Sequence, residues 1–483
     1  MIRSTFATLN LANRALVAQQ IGLDITGHNI ANANTDGFTR QAAELQASVP
    51  FTMVGTTRPQ QPGQLGTGAE VVNIKRFRDG FTDLQFRQES QLLGQWQTSR
   101  DAIAKVEQAL NEPSSDGLSG ALSRFWNSWS ALANNPESQA SRKALAESAQ
   151  TVANQMNQLH RTLKSQQSDL DRDIALRVDD INNLTTRIAR LNDQIIRIVG
   201  AGDQPNDLRD ERDTLIDQLS KLANMSYTEG TSGAVTINLG GRTVVYNNQS
   251  FALRVDQRDK DGNPDPDGFV NVFFADPTDQ SKADPTAPVS ITSGQLAGDL
   301  QVRDVTLAGF LSDLQEIGSR LIDQVNDVHG QGFGLNDSTG LPFFEGTGAD
   351  DIAVSSFILG DLDNIAAATS QLSPGDGSNA LKIHDLQREL LMDGGSATIE
   401  DFYAGRIANL GILSQQAQGM ARNEELLSSH LAQTRQSIGG VSLDEETTNL
   451  IRYQHAYNAA ARVVTTVDEM LDRVINNMGV VGR

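Results

Sequence analysis

A chain whose two ends each carry a regular apolar heptad has few ways to bury them. Ile2, Leu9, Leu16, Leu23 and Ile30 are each seven apart, with Phe6 on the neighbouring core position. Leu443, Leu450, Tyr457, Val464, Leu471 and Met478 repeat the spacing at the other end, and Tyr453, Ala460, Val467 and Val474 fill a second track. Each run is one stripe on a helix, the pattern of a coiled-coil strand. Asn13, Gln20 and Gly27 keep the first stripe narrow, and isolated helices of this kind are marginal in water. The two ends are therefore expected to pair with each other or with other copies. The expected assembly seam is Ile2, Phe6, Leu9, Leu16, Leu23 and Ile30 against Leu443, Leu450, Tyr453, Tyr457, Val464 and Leu471. Gly439-Gly440 reads as a break, and the Ser442-x-x-Glu445 spacing predicts a capping box that opens the last helix, which runs to about Met478-Gly479.

The interior divides by pattern. From Arg76 to Asn224 the periodicity is helical, and its longest run, Ser141 to Val199, shows an irregularity between Gln166 and Val178 that suggests a stutter or a break. Trp96, Trp126 and Trp129 read as core anchors. From Met225 to Pro288 the chain turns rich in Gly, Asn, Asp and Pro, with β-type runs at 234–239, 243–246, 251–255 and 269–274. Gly240-Gly241 between the first two is a hairpin signal. Helical periodicity resumes at Gly294, an irregular stretch spans 330–375, and helices return from Thr398 to Ser437. The expected fold is mainly α with a small inserted β domain: terminal coiled-coil helices, then a long-helix bundle. The expected units are 1–75 and 441–483 (paired ends), 76–224 and 293–440 (helical), and 225–292 (β insert). Such nesting brings the two halves side by side, like a hairpin folded at its middle.

Chemistry is hard to find in these residues. The net charge of −21 argues against nucleic acid or an anionic membrane as the main partner. Absence of cysteine removes thiol catalysis, Fe–S clusters, disulfides and cysteine-based zinc sites. Asp259, Asp261, Asp265 and Asp267 invite a calcium reading, but neither register of an EF-hand loop fits, and a polar turn between strands is the simpler account. The six histidines, His28, His160, His329, His384, His430 and His455, are dispersed. There is no Walker loop, dinucleotide fingerprint or nucleophile elbow. No catalytic residue, cofactor or metal is expected. The N-terminus has Arg3 but no apolar stretch behind it, so a cleaved signal peptide is not expected; nor does any run reach the length of a membrane span.

At the ends the sequence resembles a known family. Asn29-Ile30-Ala31-Asn32-Ala33-Asn34-Thr35-Asp36-Gly37-Phe38, followed by Gly66-Thr67-Gly68-Ala69-Glu70-Val71 and Ile74-Lys75-Arg76, is similar to the signature of bacterial flagellar axial proteins, the rod, hook and hook-associated subunits. Asp36 stands where that family often has proline. The C-terminal blocks Ser442 to Glu446, Asn449 to Gln454, Ala459 to Val463 and Thr466 to Leu471 resemble the hook–filament junction members. The long helical middle also favours them over a hook subunit, whose middle is mostly β. The resemblance covers roughly the first 90 and last 45 residues and is looser between.

The resemblance implies a non-enzymatic structural subunit of the junction between hook and filament. It would be exported unfolded through the flagellar type III apparatus, and be cytoplasmic before export and extracellular after it. Its terminal helices would form an inner layer and its β insert would face outward. The implied partners are further copies of itself, the hook protein, a second junction protein and a cytosolic export chaperone at the C-terminal segment. Two alternatives are a hook or distal-rod subunit and a flagellum-associated peptidoglycan hydrolase.

Overall fold

The computed structural model describes residues 5–50, 66–259, 261 and 263–477. Ile2 of the expected seam and Met478 of the C-terminal heptad lie outside them. The chain opens with α1 (Thr5–Ala31), then a hairpin of β1 (Gln41–Ala47) and β2 (Ala69–Arg76). Four helices follow: α2 (Gly80–Leu110), α3 (Leu118–Asn134), α4 (Gln139–Gly200) and α5 (Asn206–Leu222). Asp79 caps α2 and Ser138 caps α4, each accepting an amide of the first turn. α4 is 62 residues long and unbroken. The expected stutter is instead the place where its buried face changes cores. Up to Leu170 its apolar residues pack with α3 and α7; from Ile174 they pack with the sheets.

The β region comprises β3 (Met225–Glu229), β4 (Val235–Leu239), β5 (Arg242–Tyr246) and β6 (Gln249–Ser250) in one antiparallel sheet. β7 (Leu253–Asp256), β8 (Asn271–Ala275) and β9 (Ala283–Pro288) form another. Gly240 and Gly241 turn β4 into β5 with φ of +56° and +88°, the left-handed pair that a two-residue hairpin needs. These sheets have no core separate from the helices. Val235, Ile237, Val244 and Phe274 bury against Ile181, Ile188, Ile216 and Leu219 of α4 and α5, so the expected division near residue 224 does not separate two cores. The aspartates of the β7–β8 loop are engaged in turns, Asp259 Oδ1 accepting from the amides of Asp261 and Asn263.

α6 (Gln295–Gln301) runs through a π-helical turn, Val302–Leu307, into α7 (Ala308–Gly330). The stretch expected to be irregular or a hairpin holds the antiparallel pair β10 (Phe344–Glu345) and β11 (Ala353–Val354) and the short α8 (Ser356–Gly360), and α9 (Ser378–Asp385) follows it. Its Phe343, Phe344, Ile352 and Ile358 enter the main core beside the fully buried Trp126 and Trp129. α10 (Ile399–Gly439) then packs back along α2, and α11 (Leu443–Asp472) along α1. The molecule is thus a nested hairpin, its inner helix pair carrying an outer one.

Candidate assembly interface

α1 and α11 run antiparallel. Thr8 shares a groove with Thr466 and Val467, Gly22 lies under the ring of Tyr453, and Asn29 reaches Glu446. On α11 the face toward α1 carries Leu450, Tyr453, Tyr457, Val464 and Leu471, all half-buried, with Val467 buried. Leu443 is exposed. On α1 the structure differs from the expected register. The buried residues are Ala12, Ala18, Gly22, Ile25, Thr26 and Asn29, while Leu9, Leu16, Leu23 and Ile30 flank them half-buried and Phe6 is exposed. The cause is volume. A Cβ on Gly22 would stand 2.7 Å from the Tyr453 ring, so Tyr453 requires a residue without a side chain opposite, and a reading that counts apolar size looks past it. Val17, Ile451 and Val474 are left exposed, and Val463 and Met470 are exposed at the rim of the groove shared with Thr8.

The pair is tied to the body by polar contacts that the sequence reading did not foresee. Asn29 Nδ2 donates to the Gln41 carbonyl (2.8 Å) and to Glu446 Oε2 (3.0 Å), while its Oδ1 accepts the Gln41 amide (3.0 Å). Glu446, 2% exposed, also takes Arg40 Nε at 2.8 Å. Ser442 caps α11 as expected, through the Glu445 amide, but the Glu445 carboxylate turns to Arg40 at 3.0 Å. The Arg40 amide donates to the Gly439 carbonyl, so β1 is held at the break between α10 and α11.

Below this lies a cluster of opposite charges on β2, α2, α5 and α10. Arg76 meets Asp210 (2.6 Å) and Asp213 (3.1 Å); Arg78 meets Asp83 (2.5 Å) and Asp213 (3.1 Å). Arg87 pairs with Asp217 (2.6 Å), and Arg435 of α10 joins Asp83 and Asp217, both at 2.8 Å. Burial by itself would raise the Asp213 carboxyl, but Arg78, Arg87 and Arg76 outweigh it and hold it at about 2. Gly37 closes the turn after α1 at φ +80°, and a Cβ there would meet Thr214 Oγ1 at 2.2 Å. The Thr39 amide donates to Asp210 (2.9 Å). The signature segment from Asn29 to Thr39 is therefore a joint that seats the end of α1 on α5. Among the described residues there is no group of three or more His, Asp or Glu able to hold a metal ion, and no helix long and apolar enough to cross a membrane.

Comparison with known proteins gives the same picture from outside. Residues 103–344 match the model of the flagellar hook-associated protein FlgK helical domain. Residues 9–39 match the flagella basal body rod protein family, and 432–478 the flagellar basal body rod FlgEFG protein C-terminal family. Flagellar hook-associated protein 1 of Bacillus subtilis (strain 168) is 35% identical over 99% of this chain and 100% of its own length. The proteins of that name from Salmonella typhimurium and Escherichia coli K12 are each 25% identical over 97% of this chain and 99% of their own. In fold, the chain is similar to the flagellar hook junction protein FlgK from Burkholderia pseudomallei, with a TM-score of 0.64 at 15% identity over 74% of this chain and all of that one.

Proposed function

The chain belongs to the flagellar hook-associated protein 1 family, and from that premise we propose that it forms the junction between hook and filament. The observation that carries the proposal is the outer helix pair. It is held to the body by a polar joint, yet it leaves Val17, Ile451, Val463, Met470 and Val474 exposed. Exposed apolar side chains along paired helices suit packing against further copies. The half-buried leucines at 9, 16, 23, 450 and 471 would complete their burial there, so assembly would supply the apolar area that the isolated subunit lacks. The partners are other copies, the hook protein on one side and a second junction protein on the other. Export through the flagellar type III apparatus, with a cytosolic chaperone on the C-terminal segment, would precede assembly outside the cell. This role is mechanical and needs no catalytic group.

Electron microscopy of cells lacking the gene, with flagellin assayed in the medium, tests the proposal. Bare hooks with monomeric flagellin shed into the medium are the expected outcome. Missing hooks would move the subunit down into the rod or hook; normal filaments would remove the junction role altogether.

A further inference from the structure

α10 carries an apolar stripe that its own chain leaves uncovered. From Leu410 on, its buried residues are Leu410, Ser414, Ala417, Ala421, Glu424 and Ser428. Leu413, Met420, Leu427, Leu431 and Ile438 form a second row beside them, within about 40° of arc at about 100° per residue. Leu413, Leu427 and Ile438 are exposed, and Met420 and Leu431 are half-buried. The flank on the other side of the buried face holds Gln418, Arg422, Glu425 and Gln436, all exposed. Beside water, both flanks of an amphipathic helix are ordinarily polar; here only one is.

α2 has a matching row. Its Phe86 lies under the Arg435 guanidinium of α10 at 4.4 Å, while Arg87 and Gly94 face α5. Phe81, Leu84 and Leu92 occupy the remaining side and are exposed. The contacts of Arg435 with Phe86 and of Ser414 with Glu107 (2.9 Å) fix the antiparallel register of the two helices. In that register Phe81 stands level with Ile438 and Leu92 with Leu427, to within about one helical turn. Phe81 and Leu92 are eleven residues apart, as are Leu427 and Ile438. Copies related by rotation about an axis along these helices keep their heights, so the row on α10 of one copy meets the row on α2 of the next at both points. Because the two rows differ, the contact is heterologous, the kind that continues around a ring or helix. We propose that α10 of each copy packs on α2 of its neighbour, Leu427 against Leu92 and Ile438 against Phe81. The stripe ends at Gly439 and Gly440, where α10 leads into α11, so it prolongs along the body the surface that the outer pair offers to other copies. This contact presupposes self-assembly into the junction and goes beyond it by naming the faces of the body that meet.

The chain has no cysteine, so introduced ones report this contact alone. Full-length Leu427→Cys and Leu92→Cys, both at exposed positions, are produced together in cells lacking the gene. Isolated flagella are then treated with a bismaleimide, which bridges thiols a helical turn out of register. Cross-linked dimers from the mixture and monomer from either variant alone are expected. Monomer from the mixture on filamented cells, or dimers from one variant alone, overturns the contact. Leu427→Asp combined with Ile438→Asp gives a reading without cross-linking. Its circular dichroism should match the natural chain, and filamented cells should be at least about tenfold fewer, because two carboxylates would be buried against an apolar row. Full filamentation with that variant refutes the contact. Bare hooks in the deletion strain beside either failure leave the junction role standing, whereas normal filaments in that strain remove the role itself.

Discussion

Gly22 and Tyr453 are one contact split between the two ends of the chain. The ring occupies the space where a side chain at 22 would begin, so Gly22→Val should force it aside and cost about 1–3 kcal/mol, the usual range for overpacking. Tyr453→Ala in the same chain should recover most of the loss, and a double-mutant cycle in urea unfolding measures the coupling. Additive costs would mean that the ring and the glycine do not touch. His329 makes a different kind of bridge. Its Nδ1 lies 2.8 Å from the Leu341 carbonyl and its Nε2 accepts the Ala366 amide at 2.9 Å, which fixes a neutral ring with the proton on Nδ1. Burial drives the imidazole from 6.5 down to about 4. The unfolded chain then takes up a proton that the folded one refuses, so stability falls as the pH drops from about 6.5 to about 4 and is level beyond both limits. At about 1.4 kcal/mol for each pH unit, this amounts to about 3 kcal/mol. Denaturant melts at pH 7 and pH 4.5 should show the difference in the natural chain and lose it in His329→Gln; equal slopes in both would exclude His329 as the source.

α4 and the π-helical turn that crosses it explain each other. The buried Gln167 Nε2 donates to Arg303 O, inside the π-helical turn, at 3.0 Å. Gln167→Leu should cost about 1–3 kcal/mol by removing that bond from a buried carbonyl; urea unfolding against Ser165→Leu, an exposed neighbour, checks it, and equal effects would contradict this account. The same region shows what pattern can and cannot disclose. The apolar stripe from Leu145 to Ile195 announces a long helix, but Gln167 falls on the buried face and looks like an interruption until its partner in α7's approach is known. β1 was invisible as a strand because four of its seven residues are exposed and only Gln41 is buried; what holds it is Asn29, twelve positions earlier. α8 and α9 bury only Ile358, Ala380 and Ile383 of their apolar residues and leave Phe357, Leu359 and Leu381 exposed, so no apolar stripe marks them. On α1 the leucines are legible, whereas Ala18 and Gly22, which set the close approach, carry no hydrophobic signal.

Nesting one helix pair on another makes the joint between them decisive for the whole molecule. The body has large apolar cores of its own, while the outer pair depends on a narrow face and on the Asn29–Glu446–Arg40 contacts. Of the two acids that Arg40 binds, Glu446 is buried and Glu445 is exposed. Glu446→Ala removes a buried acceptor from both Arg40 and Asn29, which keep Glu445 and the Gln41 backbone, and should cost about 1–3 kcal/mol, whereas Glu445→Ala should cost less than about 1 kcal/mol. Hydrogen exchange in α1 and α11 would rank them, and equal effects would deny Glu446 its place as the tie. The body should survive either change, because neither acid touches its cores. The same separation governs Leu450→Asp combined with Leu471→Asp. Both side chains are half-buried toward α1, so two charges there should open the outer pair and abolish incorporation into the flagellum. Helical content from α2 to α7 should remain, since no apolar residue of those cores lies on α11. Circular dichroism of the purified variant and electron microscopy of cells expressing it give the two readings. Normal filaments would mean that the terminal faces are not what holds the assembly together, and collapse of the whole fold would mean that the outer pair is part of the core rather than carried by it.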